Sequence, residues 1–330
     1  MDERSDALTA WVTGVVAGEI EDIRLLAGDA SFRRYFRVIT AEGGTLVAMD
    51  APPPHEDVRP FVAVAGMLEN MGLLAPRIIS SDVERGFLLL SDLGDRTYLS
   101  ELGPDNVDPL YTAAMQALVT MQAQGQSHAA ALPPYDRRLL LDEMGLFREW
   151  YLGRHVALKL RRRDIAALQA AFDYLADMAV AQPRVFVHRD YHSRNLMVTP
   201  SGTPGILDFQ DAVNGPVAYD LVSLLRDCYI AWPEERVRGW VREYLALAAA
   251  AEVDTGMNED AFMHAFFCMG AQRHLKAVGI FARLHHRDGK DAYLADIPRT
   301  IGYLRHFCAD CEPLVGLGEV IERSLDAAAA

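Results

Sequence analysis

No run in this sequence approaches the ~18 consecutive apolar residues that a membrane span needs. Its apolar, Ala-rich stretch YLALAAAAEV is far too short. The first residues, MDERSDALTAWVTG, are acidic and mixed. They lack the basic start and apolar core of a secretory signal, so a cytoplasmic protein is the expectation. Positive charge is also short. Against 46 Asp and Glu stand 32 Lys and Arg, a net charge of -14. A field of that sign repels phosphate backbones and anionic membranes, so neither nucleic acid nor membrane is an expected partner. Cysteine is scarce, with four residues in 330. Cys308 and Cys311 form C-x-x-C in HFCADC. A zinc site would need two more ligands nearby, and a redox pair would need a β-α-β setting. Neither is visible, and the pair reads as two reduced helix cysteines. Internal repeats and low-complexity linkers are absent too. What remains is a chain 51% apolar, enough for a sizeable core in one large domain or two lobes.

The apolar rhythm changes along the chain. Residues 4–18 recur at helical spacing. DIRLLAG, RYFRVIT and TLVAMD then read as short strands, the last two joined by the hairpin signal AEGG. A helix over 55–71 leads to two more strands, PRIISSD and GFLLLSDL. From about residue 106 the texture is helical: 106–124, 137–158, 162–180, 217–229, 234–251, 259–285 and 313–328. The exception is 185–210, where VFVHRD, NLMV and GILDF are β-like. The expected fold is α+β and bilobal, with a small β-rich N-lobe over residues 1–93 and a large α-helical C-lobe over 94–330.

Within the exception lies VFVHRDYHSRNLMV, residues 185–198, polar in the middle and apolar at both ends. A kinase loop, a metal site built on His188 and His192, and a plain turn all fit it in isolation. Phosphoryl transfer needs a carboxylate at the acceptor hydroxyl, hard oxygen ligands for Mg²⁺, and positive charge at the transferred group. Kinases meet this with H-R-D-x-x-x-x-N followed by D-F-G. Here His188-Arg189-Asp190 precedes Asn195 by the right interval, and Asp208-Phe209 follows after a plausible hairpin. The ordered pair decides against the metal hydrolase reading, which does not account for Asn195 or Asp208.

With HRDYHSRN, ILDFQDA and GPVAYDLVSLL the chain resembles the aminoglycoside phosphotransferase and choline kinase group of the protein-kinase-like fold. FRRYFRV, MDAPPP, ERGFLLLSDLGDRTYL and QRHLKAVGIFARLHHRDGK resemble more closely the anomeric N-acetylmuramate/N-acetylglucosamine kinases of cell-wall recycling. The resemblance implies a monomeric ATP- and Mg²⁺-dependent sugar 1-kinase whose partner is a small amino sugar. It implies Asp190 as the base orienting the hydroxyl and Asn195 and Asp208 as Mg²⁺ ligands. His188 and Asp220 would tie the loop. Arg194 would clamp the phosphoryl group or serve in an ion pair. Gly28, Ser31 and Arg34 would meet the phosphates, although an ordinary hairpin turn explains Gly28 and Ser31 equally. Adenine would lie against the hinge at Ser91, Asp92 and Leu93.

One departure stands out. Relatives place Lys or Arg at the end of a strand such as TLVAMD, whereas this one ends in Met49-Asp50. Asp50 would repel phosphates. Arg33, Arg34, Arg37 or Arg59 can substitute, Mg²⁺ can neutralise the phosphates, or the protein binds nucleotide without turnover. For the acceptor, the candidates are Asp190, His192, Asp211, Trp232, Arg273 and Lys276. The last two share one side of a helix, where they receive a substrate carboxylate or are merely solvated. An antibiotic or choline-type kinase is the rival enzyme. His285-His286 is not read as a metal pair, since adjacent residues on a helix point different ways.

Overall fold

The structure, a computed structural model, describes residues 3–28 and 32–329. Ser31 lies outside the described residues. The chain divides into two compact units, Met1–Glu101 with Asn195–Asp211, and Leu102–Arg194 with Ala212–Ala330. One crossing falls inside the motif, between Arg194 and Asn195.

The first unit is built on an antiparallel sheet. Helix α1 (Glu3–Val15) precedes strands β1 (Ile20–Gly28), β2 (Arg34–Thr40) and β3 (Thr45–Asp50). Helix α2 (Arg59–Asn70) leads to β4 (Ile78–Asp82) and β5 (Phe87–Ser91), and the sheet order is β1-β2-β3-β5-β4. Leu8, Trp11 and Val12 of α1 are spaced three and four apart, so they share a face. That face packs on Val38, Ala48, Phe87 and Leu89. Strand β5 is interior to the sheet, and its residues Phe87–Leu90 are all buried. This is why GFLLLSDL shows no alternation. The short helix α3 (Tyr98–Glu101) follows.

The second unit is helical. It opens with α4 (Val107–Gln124), α5 (Gln126–Ala129) and α6 (Arg137–Leu146). The last runs directly into a π-helix, Phe147–His155, where one uninterrupted helix was expected. Helix α7 (Arg162–Val180) and strand β6 (Arg184–Val187) come next. The chain then returns to the first unit as the hairpin β7 (Leu196–Met197) and β8 (Gly205–Ile206). Val198 N–H donates to Arg96 O at 2.7 Å and Ile206 N–H to Leu74 O at 2.8 Å. These bonds fix the hairpin to its own unit. Strand β9 (Val213–Pro216), unexpected from a Gly- and Pro-containing stretch, pairs with β6 in the second unit.

Helices α8 (Tyr219–Leu225), α9 (Glu234–Ala250) and α10 (Glu259–Asp288) follow. Helix α10 starts at Asn258, whose side chain accepts from Ala261 N–H at 2.9 Å. It ends at Gly289 in the left-handed region, φ 65°. It is buried along most of its length and packs on α6, α7, α8 and the π-helix. A Cβ on Gly279 would lie 2.4 Å from the carbonyl carbon of Leu146 and 2.5 Å from Phe147 N. Only glycine admits that approach, which falls where α6 widens into the π-helix. A 3-10 turn (Asp291–Asp296), α11 (Ile297–Asp310), a second such turn (Glu312–Leu314) and α12 (Val315–Ala329) complete the unit. All four cysteines are free and buried, including Cys308 and Cys311. No described helix is long and apolar enough to cross a membrane.

Candidate active site

In the helical unit the loop after β6 is held from below. Asp220, near the start of α8, is fully buried. It accepts the His188 N–H at 2.7 Å and the Arg189 N–H at 2.9 Å. Burial pushes its carboxyl up to about 7, against the pull of those two amides. His188 Nδ1 accepts the Asp190 N–H at 3.2 Å, which places the ring proton on Nε2. Arg189 adopts φ 78°, in the left-handed region that favours glycine. The strained residue is anchored by its side chain, which pairs with Glu143.

Around Asp190 the charges are positive. Burial works to raise its pKa, but Lys276, His192, Arg189 and Arg273 outweigh it and hold the carboxyl at about 2. Arg273 and Lys276 are 6% and 8% exposed, so they do not form a solvated helix face. Lys276 lies 3.0 Å from Glu143 and donates to Tyr219 OH at 3.3 Å. Arg273 donates to Cys228 Sγ at 3.6 Å. It has no carboxylate within ion-pair distance among the described residues. His192 is buried, and its Nδ1 has no hydrogen-bond partner among them. Burial lowers its pKa, which favours the neutral ring. The Arg194 guanidinium lies 3.7 Å from the Tyr229 ring centroid and 5.6 Å from that of Tyr293. Trp232 packs elsewhere in this unit. Its Nε1 donates to Tyr111 OH at 3.1 Å, and its ring meets Trp240 edge-on.

In the β-rich unit the end of the hairpin carries a second set. Leu207 N–H donates to Asn195 O at 2.9 Å and closes the hairpin. The Asn195 amide and the Asp208 carboxylate approach to 3.5 Å. Asp208 sits at φ 59°. Phe209 is buried against Phe61 of α2, with ring centroids 4.6 Å apart. Asp208 Oδ1 accepts from Gln210 Nε2 at 2.8 Å and lies 3.6 Å from Arg33. A cavity of about 270 Å³ adjoins, lined by Arg33, Met49, Glu56, Phe61, Gln210 and Asp211 among others.

The absent strand lysine has a structural counterpart here. Asp50 is fully buried and bound by Arg4 at 2.7 Å and by Arg34 at 2.7 and 3.0 Å. Two guanidiniums therefore offset the charge at the end of β3. Arg37 is paired with Asp92 and Asp95, and Arg59 with Asp57 and Glu84. Of the four arginines considered, Arg33 is the one beside Asp208. At the expected hinge, Ser91 exchanges bonds with the Arg77 backbone, Asp92 accepts the Gly94 N–H, and Leu93 packs on Gly205. Gly28 closes β1 opposite Arg34.

Sequence reasoning passed over Glu143. It is buried and bound by Arg189, Lys276, Tyr135 and Gln272. The signal was present, since Glu143 shares the apolar stripe of Leu140, Met144 and Phe147.

The chain matches the model of the phosphotransferase enzyme family over residues 22–255. It belongs to that family. Members in *Pseudomonas aeruginosa* and *Neisseria meningitidis*, both named N-acetylmuramate/N-acetylglucosamine kinase, are 45% and 40% identical to it. The first alignment spans 97% of this chain and 96% of the relative, the second 96% and 95%. Among solved structures, choline kinase LicA from Streptococcus pneumoniae superposes with a TM-score of 0.65 at 11% identity, covering 92% of this chain and 99% of its own. An ADP-bound aminoglycoside phosphotransferase, APH(2'')-Ib, gives 0.60 at 16% identity, covering 91% and 97%. These likenesses establish the protein-kinase-like fold of the family, with its antiparallel β-sheet and its helical C-terminal part.

Proposed function

We propose that this phosphotransferase moves the γ-phosphoryl group of ATP to the anomeric hydroxyl of N-acetylmuramate and N-acetylglucosamine. The observation that carries the reading is a depressed Asp190 carboxylate grouped with Arg273 and Lys276, in a chain 40–46% identical to named kinases of those sugars. Asp190 orients the hydroxyl. An anomeric hydroxyl is more acidic than an ordinary alcohol, so a weak base held in place suffices, and positioning supplies most of the rate. Asn195 and Asp208 offer an amide oxygen and a carboxylate, hard donors that fit Mg²⁺ at ~2.1 Å. Bound there, Mg²⁺ would supply positive charge to offset that of the phosphates.

Arg33 takes the place of the strand lysine. Its charge beside Asp208 can pass to the phosphates when nucleotide enters. Arg33→Met is therefore expected to raise the KM for ATP about tenfold or more, the worth of one charge-assisted bond, while the sugar KM changes little. Equal shifts in both constants would argue that Arg33 only supports the fold.

Arg273 is a buried cation with no carboxylate within ion-pair distance among the described residues, so it receives the lactyl carboxylate of N-acetylmuramate. Protein incubated with Mg-ATP and each sugar should give the sugar 1-phosphate, read by phosphorus NMR. Phosphate at any other hydroxyl, or no product from either sugar, would sink the reading. Arg273→Met should raise the KM for N-acetylmuramate by about tenfold or more and spare N-acetylglucosamine, which has no carboxylate.

A further inference from the structure

Three of the chain's ten histidines meet at one point of the helical unit, away from any role assigned above. His155 is the last residue of the π-helix, and His285 and His286 stand in the final turn and a half of α10. Each offers a ring nitrogen, and these atoms lie within 4.8 Å of one another. Ring centroids are 6.0 Å apart for His155 and His285, 5.5 Å for His155 and His286, and 4.5 Å for the adjacent pair. The expectation that neighbours on a helix diverge is thus not met at this helix end. Among the described residues no other cluster of three metal-type ligands occurs.

We propose that His155, His285 and His286 form a site for a divalent transition metal of the zinc class, with Asp291 supporting His285. Metal–nitrogen bonds of ~2.0–2.1 Å put tetrahedral ligand nitrogens ~3.4 Å apart. The observed spread needs side-chain rotation of roughly an ångström, and these rings are exposed or half-buried, so they can turn. The Asp291 carboxylate meets His285 Nδ1 at 2.6 Å. A carboxylate behind a ligating imidazole fixes its tautomer and raises its basicity. His155 is oriented from its other side, stacked on Tyr151 at 5.9 Å and 26°. Three imidazoles favour zinc, copper or nickel over the hard ion Mg²⁺. The fourth position would hold water.

The placement gives such an ion a structural consequence. Gly279 already brings α10 against the start of the π-helix, and the ion would join their far ends. Asp291 opens the 3-10 turn that carries Tyr293. Tyr293 stacks on Phe281 at 5.7 Å and lies beside Arg194. Metal would therefore steady the turn that flanks Arg194.

The test uses tag-free, chelator-treated full-length protein without nucleotide, titrated with ZnCl₂ by calorimetry and with Co²⁺ followed by its visible d–d absorption. One equivalent per chain, an intense tetrahedral Co²⁺ band and a rise in Tm are expected. His155→Ala and His286→Ala should each weaken binding at least tenfold, whereas His128→Ala should not. Absence of saturable binding in the wild type, or wild-type affinity in both histidine variants, overturns the site. Cys308→Ser/Cys311→Ser should bind as wild type. Loss of binding there, with retention in the histidine variants, would assign the ion to the cysteines and overturn the proposal as well.

Discussion

Asp190→Asn should lower kcat by about 10²–10⁴-fold, the range for loss of a positioned acid–base group, while nucleotide affinity stays near wild type. The substitution keeps the size, removes the charge and exchanges one acceptor oxygen for an NH₂ donor. In the wild type Asp190 is a carboxylate at every working pH, because the positive charges around it, Lys276 foremost, hold it at about 2 despite its burial. Two consequences separate this base from one tuned near neutrality. The rate carries no acid limb from Asp190 until pH falls towards 2, since the ionised form is the active one and persists down to its pKa. The variant's loss should also be independent of pH across the neutral range. Steady-state kinetics over pH, with calorimetric titration of ATP, checks both. Full turnover in the variant would remove Asp190 from the proposed role.

Local pattern carried the motif. The interval from Asp190 to Asn195 and the hairpin before Asp208 are short-range features, and the strand pair β7–β8 lies where NLMV and GILDF read as β. What sequence could not carry was long-range charge matching. Asp50 read as a repulsive residue because its partner Arg4 stands 46 positions earlier. The π-helix was hidden for a different reason. π-Helical turns are rare and are not read from apolar spacing, and Gly279, which packs against the start of this one, is remote in sequence. Strand β9 was masked by Gly215 and Pro216, which discourage a strand reading, although β6 supplies its pairing partner. The three histidines of the proposed metal site come from helix ends over 100 residues apart, a meeting that only the packing of α10 on the π-helix produces.

The largest effect on stability is expected at Glu143. Arg189 and Lys276 both pair with this one buried carboxylate, whose pKa is kept low by the two cations although burial opposes it. Glu143→Gln preserves volume and the bonds to Tyr135 and Gln272, and removes the negative charge that faces Arg189 and Lys276. Breaking a buried pair in this way costs about 3–5 kcal/mol, which predicts a fall in Tm of roughly 4–7 °C. The pH dependence follows from the same charges. In the wild type the pKa of Lys276 is raised by Glu143 against the effect of burial. Its stabilisation is present at neutral pH and lost only above 10.5. In the variant, burial without a partner lowers that pKa. The unfolded chain then binds more protons than the folded one at alkaline pH, so the variant gains stability as pH rises. The gap between the two proteins should therefore be widest near neutral pH and shrink towards alkaline pH, as differential scanning fluorimetry across pH can measure. Adding Lys276→Met to Glu143→Gln should recover part of the loss, because it removes a stranded charge, and a double-mutant cycle would give the coupling directly. A Tm for Glu143→Gln within about a degree of wild type at neutral pH, well inside the ordinary surface-substitution range, would show that the two cations do not need this carboxylate. The effect should also reach catalysis. Glu143 anchors the side chain of Arg189, the residue before Asp190, whose φ is 78°. The folded fraction of Glu143→Gln should accordingly lose kcat as well, while a variant that was merely less stable would keep wild-type turnover at low temperature.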